Sequence, residues 1–393
     1  MQKYTTGAEL IDRARALAPK FAARAAAAEE ARRLPAVSVR EMLDAGVARI
    51  LMPKRFGGYD LDFDIWNDVV LEISRADAAH GWCASLFAHH AHLVAQFPEA
   101  AQKAIWSDGP DVAIAASFAP RAKAVRVEGG YRVSGSQSAF ASGVDNSSWV
   151  MVGALLQGTE PPEWIFLMVP PGDYKVLDTW QTAGMRGTGS NTIVTDNAFV
   201  PDGLMLSLAD MRAGKGPGSA MHKSLHFRAP FYFYAPLTFA APVLGAAQGA
   251  YAHFREWVKT RQSVDGSFVA RKQSTQVAMA RLAADLDAAD LLLRRTTLAH
   301  HGAEADWPKL MARSVRDFTR VSELAVGAID TLIGLCGAAG FASSHPIQRA
   351  WRDVHFAATH IALNTETNYT YFGRTELGLA FDSGSPFIQA TIK

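Results

Sequence analysis

Along the chain the apolar positions keep two different periods. Over residues 1–111 they recur every three to four residues within Ala8–Arg33, Val39–Gly46, Phe63–Ala76 and Gly81–Ala95, the spacing of a helix face. Pro19 is expected to start or kink the first of these rather than sit inside it, because a proline ring clashes with the preceding turn. The turn-rich Pro53–Asp60 separates the second from the third. From residue 112 to about 200 the period falls to two, as in Ala124-Val-Arg-Val and Trp149-Val-Met-Val, which sends alternate side chains to opposite faces of a strand. Glu128-Gly-Gly-Tyr131 has the composition of a hairpin turn, and Trp164–Val169, Tyr174–Leu177 and Asn191–Phe199 complete a meander. A polar, Gly-rich connection over 203–230 comes next and reads as a mobile lid or a long loop. Helical spacing returns over about 240–262, 268–301, 308–336 and 346–372, and four long helices in succession predict a bundle. The chain is therefore expected to be α+β: an N-terminal helical domain (1–111), a middle β-domain, barrel or sandwich (112–222), and a C-terminal four-helix bundle (223–393).

The last helical stretch carries the most chemistry. Between Ile347 and Phe372 there is neither Pro nor Gly, so one long helix or two stacked ones are expected. On a helix Trp351, His355 and Ala358 share one face, and Phe356, His360 and Leu363 share another. A titratable ring on an apolar face is either a core histidine satisfied by a carbonyl or a proton-handling group.

Composition narrows the function classes. The 39 basic and 38 acidic residues leave a net charge of +1, which offers no electrostatic attraction for nucleic acid or an anionic membrane. No uninterrupted apolar run reaches the length of a membrane span and the first residues lack an apolar signal core, so a cytoplasmic protein is expected. Cys83 and Cys336 lie in apolar helical stretches and read as reduced core residues. His89, His90 and His92 invite a metal reading. Adjacent helical residues point about 100° apart, so the three cannot converge, and no metal is expected.

Three local signatures give this order of domains a resemblance. They are Gly130-Tyr-Arg-Val-Ser-Gly-Ser-Gln-Ser-Ala-Phe-Ala-Ser-Gly143, Gly184-Met-Arg-Gly-Thr-Gly-Ser190, and Trp351-Arg-Asp353 with His360 seven residues beyond the Asp. The chain resembles the acyl-CoA dehydrogenase fold. More narrowly, it is similar to the oxygenase components of two-component flavin monooxygenases, whose members act on p-hydroxyphenylacetate, a phenolic steroid ring, dibenzothiophene and indoles. The resemblance implies reduced FMN or FAD and O2, reacting through a flavin hydroperoxide, and a separate NAD(P)H:flavin reductase. It also implies a small aromatic substrate and a homotetramer. No Gly-x-Gly-x-x-Gly follows a strand, so no nicotinamide site is expected within the chain.

Carried over residue by residue, the resemblance implies Ser142 as the hydroxyl beside flavin N5 and His360 as the acid–base group at the reactive edge. Ser117, Phe140 and Arg186 would line the cofactor, and Arg261 matches an arginine that reaches a neighbouring subunit's flavin in the dehydrogenases. Val264-Asp-Gly266 stands there in place of the usual Phe-Gly. Trp82 and His90 lie on the helix that walls the substrate pocket in relatives. Phe231 and Tyr234 belong to an aromatic segment, with Phe227, Tyr232, Phe233 and Phe239, that suits a flat substrate and excludes water. Thioester oxidation is the alternative on this fold, and it needs a glutamate base. One family position for it holds Ile361, and no acidic residue occurs between Asp210 and Glu256, where the other would lie. N- or S-oxygenation by the same flavin chemistry, and a non-catalytic flavin-binding protein, stay open.

Overall fold

The computed structural model describes residues 5–135, 138–301 and 306–380. Ser136 and Gln137 of the first signature, and the end of the bundle domain from Phe381, lie outside the described residues. Helix α1 (Gly7–Ala31) opens on a capping box, in which Thr6 and Glu9 satisfy one another's backbone N–H groups. Pro19 sits inside this helix and neither starts nor ends it. Its missing N–H costs one bond of the ladder, which burial of Leu10, Ala14, Leu17 and Phe21 along one face offsets.

Helices α2 (Ala36–Asp44), α3 (Phe63–Ala76), α4 (Ala78–Val94) and α5 (Glu99–Ile105) complete the first block. Every residue of α4 is buried, its four histidines included, so this helix forms the spine of the molecule.

The sheet region has nine strands: β1 (Ile114–Val127), β2 (Gly130–Ser134), β3 (Ser138–Ala141), β4 (Trp149–Leu156), β5 (Glu163–Val169), β6 (Lys175–Leu177), β7 (Asn191–Val194), β8 (Ala198–Pro201) and β9 (Met205–Ser207). They form a six-stranded sheet in the order β8-β2-β1-β4-β5-β9 and a three-stranded sheet, β3-β7-β6. The predicted hairpin closes with Val127 opposite Gly130. The expected single strand Asn191–Phe199 is two strands, β7 and β8, one in each sheet. Asn197 turns left-handed between them at φ 51°.

The expected lid over 203–230 is packed chain. It contains β9 and α6 (Leu208–Ala213). Gly218 donates its N–H to the Gln96 carbonyl at 3.0 Å, and a Cβ there would lie 2.2 Å from the Phe97 carbonyl oxygen. Gly216 and Gly218 thus permit contact with the residues that follow α4.

A short α7 (Phe231–Tyr234) leads into the bundle: α8 (Leu237–Thr260), α9 (Gln273–Thr297), α10 (Trp307–Cys336), α11 (Pro346–Ala358) and α12 (Thr365–Glu376). Of the two readings for the final stretch, the structure takes the second: two helices, α11 and α12, separated by one 3-10 turn, Ile361–Leu363. The stretch containing α10 is long and apolar enough by composition to cross a membrane, a property that core helices share. One face of α10, including Val315, Phe318, Val321, Ala325, Ile329 and Leu332, packs inside the bundle.

Helix α8 joins bundle to N-terminal block because two small residues let backbones meet. A Cβ on Gly245 would lie 2.5 Å from Ser74 Cβ, and one on Gly249 2.0 Å from the Arg75 carbonyl oxygen. Gly249→Val is therefore expected to cost about 1–3 kcal/mol by overpacking, read as a lowered urea midpoint. Gly327→Ala, where an added methyl meets nothing within 4 Å, should be neutral or slightly stabilising. Equal midpoints for the two variants would show that the α3–α8 approach is loose.

Candidate active site

The second and third signatures grip each other. Arg352 Nη1 donates to the Ala183 carbonyl at 2.7 Å, and the Met185 N–H donates to Asp353 Oδ1 at 2.5 Å. Between these anchors Gly184 lies flush on α11, where a Cβ would meet the Arg352 carbonyl oxygen at 2.2 Å. Met185 itself is left-handed at φ 52°, a conformation that a non-glycine residue keeps only when held. Asp353 is buried, and its pKa is pushed up to about 7 by burial first and by the negative Asp77 second. Asp77 is in turn bonded to His80 Nδ1 at 2.6 Å, and Arg352 is paired with Glu29 at 2.6 Å.

The clasped turn presents hydroxyls to the first signature. Thr188 Oγ1 is 2.7 Å from Ser190 Oγ, and Ser190 Oγ is 2.7 Å from Ser142 Oγ. The Trp82 indole Nε1–H donates to Ser142 Oγ at 3.2 Å. Ser142, Ser190, Thr188 and Trp82 are all buried. Gly143, at φ 72°, seats this strand end on Phe87, where a Cβ would sit 2.9 Å from the ring.

On the other side of Trp82 stands His360. Their ring centres are 5.9 Å apart, edge to face, and His360 stacks on Phe239 at 3.6 Å. His360 lies at the helix break, where it caps the 3-10 turn: its Nδ1 accepts the Ala362 N–H at 3.2 Å. A ring nitrogen that accepts carries no proton, so the neutral ring has its proton on Nε2. Burial pushes the pKa down to about 4, and no carboxylate among the described residues bonds to it. The break is held by Asn368, whose buried amide donates to Thr319 Oγ1 at 2.7 Å and to the Ala362 carbonyl at 2.9 Å.

The aromatic candidates pack in two layers. His90 donates from Nδ1 to the Ile114 carbonyl at 2.6 Å, and burial lowers its pKa to about 4. Phe118 lies 6.4 Å from His90 and 5.6 Å from Phe231. Tyr234 is fully buried with its hydroxyl on Gln96 at 2.8 Å, so it stands behind Phe231 in the core. Among the cofactor candidates, Ser117 donates to the Ala139 carbonyl at 2.7 Å and holds the strand that leads to Ser142. Phe140 is 70% exposed, left-handed at φ 65°, with its ring edge-on to Trp180 at 6.0 Å. Arg186 turns back to the Glu29 and Thr182 carbonyls, which makes it a brace for the turn. Arg261 is exposed over Trp257 at 5.6 Å and is not brought to this cluster.

Ser190, Thr188 and Asp353 lie within the signatures but receive no role from the sequence, and Phe118 is not among the candidates. Ser190 and Thr188 are visible as the two hydroxyls of the Gly-rich turn, but nothing in the spacing says which hydroxyl faces which.

Two other clusters lie apart from this site. Asp62 receives His300 Nε2 at 3.0 Å and His301 Nε2 at 2.9 Å. A metal on His300 Nε2 would put a proton on Nδ1, which is buried without a partner, whereas metal-bound histidines donate that proton. Asp62 caps α3, and both imidazoles hydrogen-bond to it. A cavity of about 530 Å³ between α9, α10 and α12 is lined by Arg295, Arg316 and Arg320, whose charges are already paired with Asp317 and Glu323.

The arrangement fits a flat redox ring. It offers a buried hydroxyl at one edge, a neutral imidazole within one indole of it, and an exposed phenyl, Phe140, beside the strand. The family model described as "Acyl-CoA dehydrogenase, N-terminal domain" matches residues 6–109, and that described as "Acyl-CoA dehydrogenase, C-terminal domain" matches 237–365. Fold and site thus define a flavoprotein scaffold of the acyl-CoA dehydrogenase class. Within it, the flavin-dependent monooxygenase oxygenase subunit HsaA of Rhodococcus jostii is 33% identical over 377 residues, covering 94% of this chain and 98% of the relative. The FADH2-dependent resorcinol hydroxylase oxygenase component of a Rhizobium species is 34% identical over 388 residues, covering 94% of each chain. The solved structure of XiaF from a Streptomyces species, in complex with FADH2 and glycerol, superposes with a TM-score of 0.89 at 30% identity over 97% of each chain. The chain belongs to the family of flavin-dependent monooxygenase oxygenase components.

The raised pKa of Asp353 has a testable sign. An unfolded aspartate titrates near 3.9, and the folded one near 7. Between these values the folded chain holds more protons, so stability falls as pH rises from about 4 to 7. Asp353→Asn keeps an acceptor for Met185 and removes the charge. It should gain on the order of 2 kcal/mol relative to the parent at pH 8 and much less at pH 5. Urea melts at the two pH values check this, and a pH-independent difference would mean that Asp353 ionises normally.

Proposed function

We propose that this chain hydroxylates a small phenol- or indole-like substrate with Ser142 and His360 as the groups that face the flavin's reactive edge. Family membership makes it an oxygenase component that works with reduced flavin, O2 and a separate reductase. When bound, the reduced flavin supplies two electrons, so that one oxygen atom of O2 enters the ring and the other leaves as water. The chain's own residues supply position, dryness and protons. Ser142 holds the N5 side of reduced FMN or FAD, with Phe140 and Ser117 shaping the strand beside it. His360, neutral at physiological pH, carries a proton on Nε2 that it can lend to the departing oxygen and recover from the substrate. Trp82, His90 and Phe231 wall the substrate and exclude water, with Tyr234 backing Phe231. Arg261 would serve a neighbouring copy's cofactor in a homotetramer, and the working compartment is the cytoplasm.

The observation that carries this reading is that Trp82 joins Ser142 on one side and His360 on the other. At the position where dehydrogenase relatives hold a base stands Ile361, 61% exposed, which supports oxygen transfer over thioester oxidation. The test mixes protein, anaerobically reduced flavin and oxygenated buffer with a panel of phenols and indoles, measuring product and hydrogen peroxide separately. His360→Ala should lower the hydroxylation rate about 10²- to 10⁴-fold. Ser142→Ala should shift flux from product to peroxide about ten-fold, the worth of one hydrogen bond in a dry site. Reoxidation at the protein-free rate, with no product from any substrate, would sink the proposal.

A further inference from the structure

The chain of hydroxyls has a direction, and it emerges from counting protons. A carbonyl oxygen only accepts, and that of Met185 takes the Trp180 indole N–H at 2.9 Å and the Thr188 hydroxyl at 2.9 Å. Each hydroxyl has a single proton to give. Thr188 has given its proton to Met185, so the 2.7 Å contact with Ser190 is donated by Ser190. Ser190 has then given its own, so the 2.7 Å contact with Ser142 is donated by Ser142. At the far end the Trp82 indole, which only donates, delivers its N–H to Ser142 Oγ. The proton of Ser142 therefore points inward, and what this side chain offers to a ligand is a lone pair. Every residue of the chain is buried, so bulk water does not compete for these bonds.

We propose that Ser190 and Thr188 are positioning residues that lock Ser142 as a hydrogen-bond acceptor and thereby make the site selective for reduced over oxidised flavin. The inference rests on the reading that Ser142 faces N5. Reduced flavin carries a proton at N5 and meets the lone pair as a donor. Oxidised flavin presents a lone pair of its own. To bind that form equally well, Ser142 would have to turn its proton outward, leaving the Ser190 oxygen without its donor in a dry site. A chain that borrows its flavin in the reduced form and must surrender it oxidised gains from this asymmetry at both steps. Neither Ser190 nor Thr188 need touch the flavin for the effect.

The test is the ratio of equilibrium dissociation constants for oxidised and anaerobically reduced FMN, and again for FAD. It is measured on the full chain and on Ser142→Ala, Ser190→Ala, Ser190→Thr and Thr188→Val. By linkage the same ratio is the shift in the bound flavin's reduction potential, which gives a second readout without turnover. The parent should bind reduced flavin at least about ten-fold more tightly than oxidised, the equivalent of one hydrogen bond. Ser190→Ala frees the Ser142 proton, and Thr188→Val removes the acceptor that orients Ser190. Both should lower the ratio about ten-fold, chiefly by tightening oxidised flavin. Ser190→Thr keeps the hydroxyl and should keep the ratio. Thr188→Val changes little in shape, so it carries the test if Ser190→Ala fails to fold. Equal weakening of both redox forms in the two variants would reduce these residues to structural support and overturn the proposal. An unchanged ratio there, with a lowered ratio in Ser142→Ala, would overturn the proposal and leave the placement of Ser142 standing. An unchanged ratio in Ser142→Ala as well would remove Ser142 from N5, and with it both readings.

Discussion

Much of the molecule depends on how one backbone unit is held, that of Met185. Its N–H is taken by a carboxylate from the C-terminal bundle, and its carbonyl by a hydroxyl and an indole from the β-region. The residue is left-handed without being glycine, a cost on the order of 1 kcal/mol or more that persists only because both sides hold it. Bundle, sheet and Gly-rich turn are thus registered at one peptide. Asp353 meets this demand from a poor position for a charge, buried and close to Asp77. Such an arrangement is worth keeping only if the position of the turn matters more than the free energy it forfeits.

The chemistry around Trp82 is built almost entirely from neutral groups. His360 and His90 are both held uncharged by burial, and Ser142, Ser190 and Thr188 have no charge to lose. The arginines nearby are committed to carbonyls or carboxylates at the edges. In a site of low polarity a neutral dipole of fixed orientation acts strongly on a bound ring and needs no counter-ion. The wholly buried α4 helps to make this possible, since it carries Trp82 and His90 on a spine that solvent does not reach.

Period and punctuation make the architecture legible. The bounds of Phe63–Ala76 can be read from the sequence because Asp62 and Asp77 are capping residues at its two ends. The helix–sheet–helix order comes from the change of period near residue 112. Pro19 defies its local strain because burial on either side of it holds the helix together, and that burial is a tertiary property. The final stretch reads as one helix or two because neither Pro nor Gly marks its break. The break is made by side chains, with His360 capping the 3-10 turn and Asn364 capping α12, and caps of that kind are weak signals. The glycines of 203–230 suggest mobility, whereas Gly216 and Gly218 serve close contact with Gln96 and Phe97. For the site, the resemblance points to Ser142 and His360, but the partners that orient them come from turns and helices far away in sequence, and only folding brings them together.

The linker between α11 and α12 has a consequence for how this scaffold diverges. Six residues, Thr359–Asn364, carry the imidazole across the break, and their shape is secured mainly by caps and by the amide of Asn368. In a 3-10 turn each successive residue points about 120° from the last. His360 looks toward Phe239 and Trp82, while its neighbour Ile361 faces outward. The resemblance gives that neighbouring position as one of two for a dehydrogenase base. A single step of register in this short linker therefore decides whether an imidazole or an aliphatic side chain meets Trp82 and Phe239. The helices on either side can stay as they are, like a turret that rotates on a fixed mount.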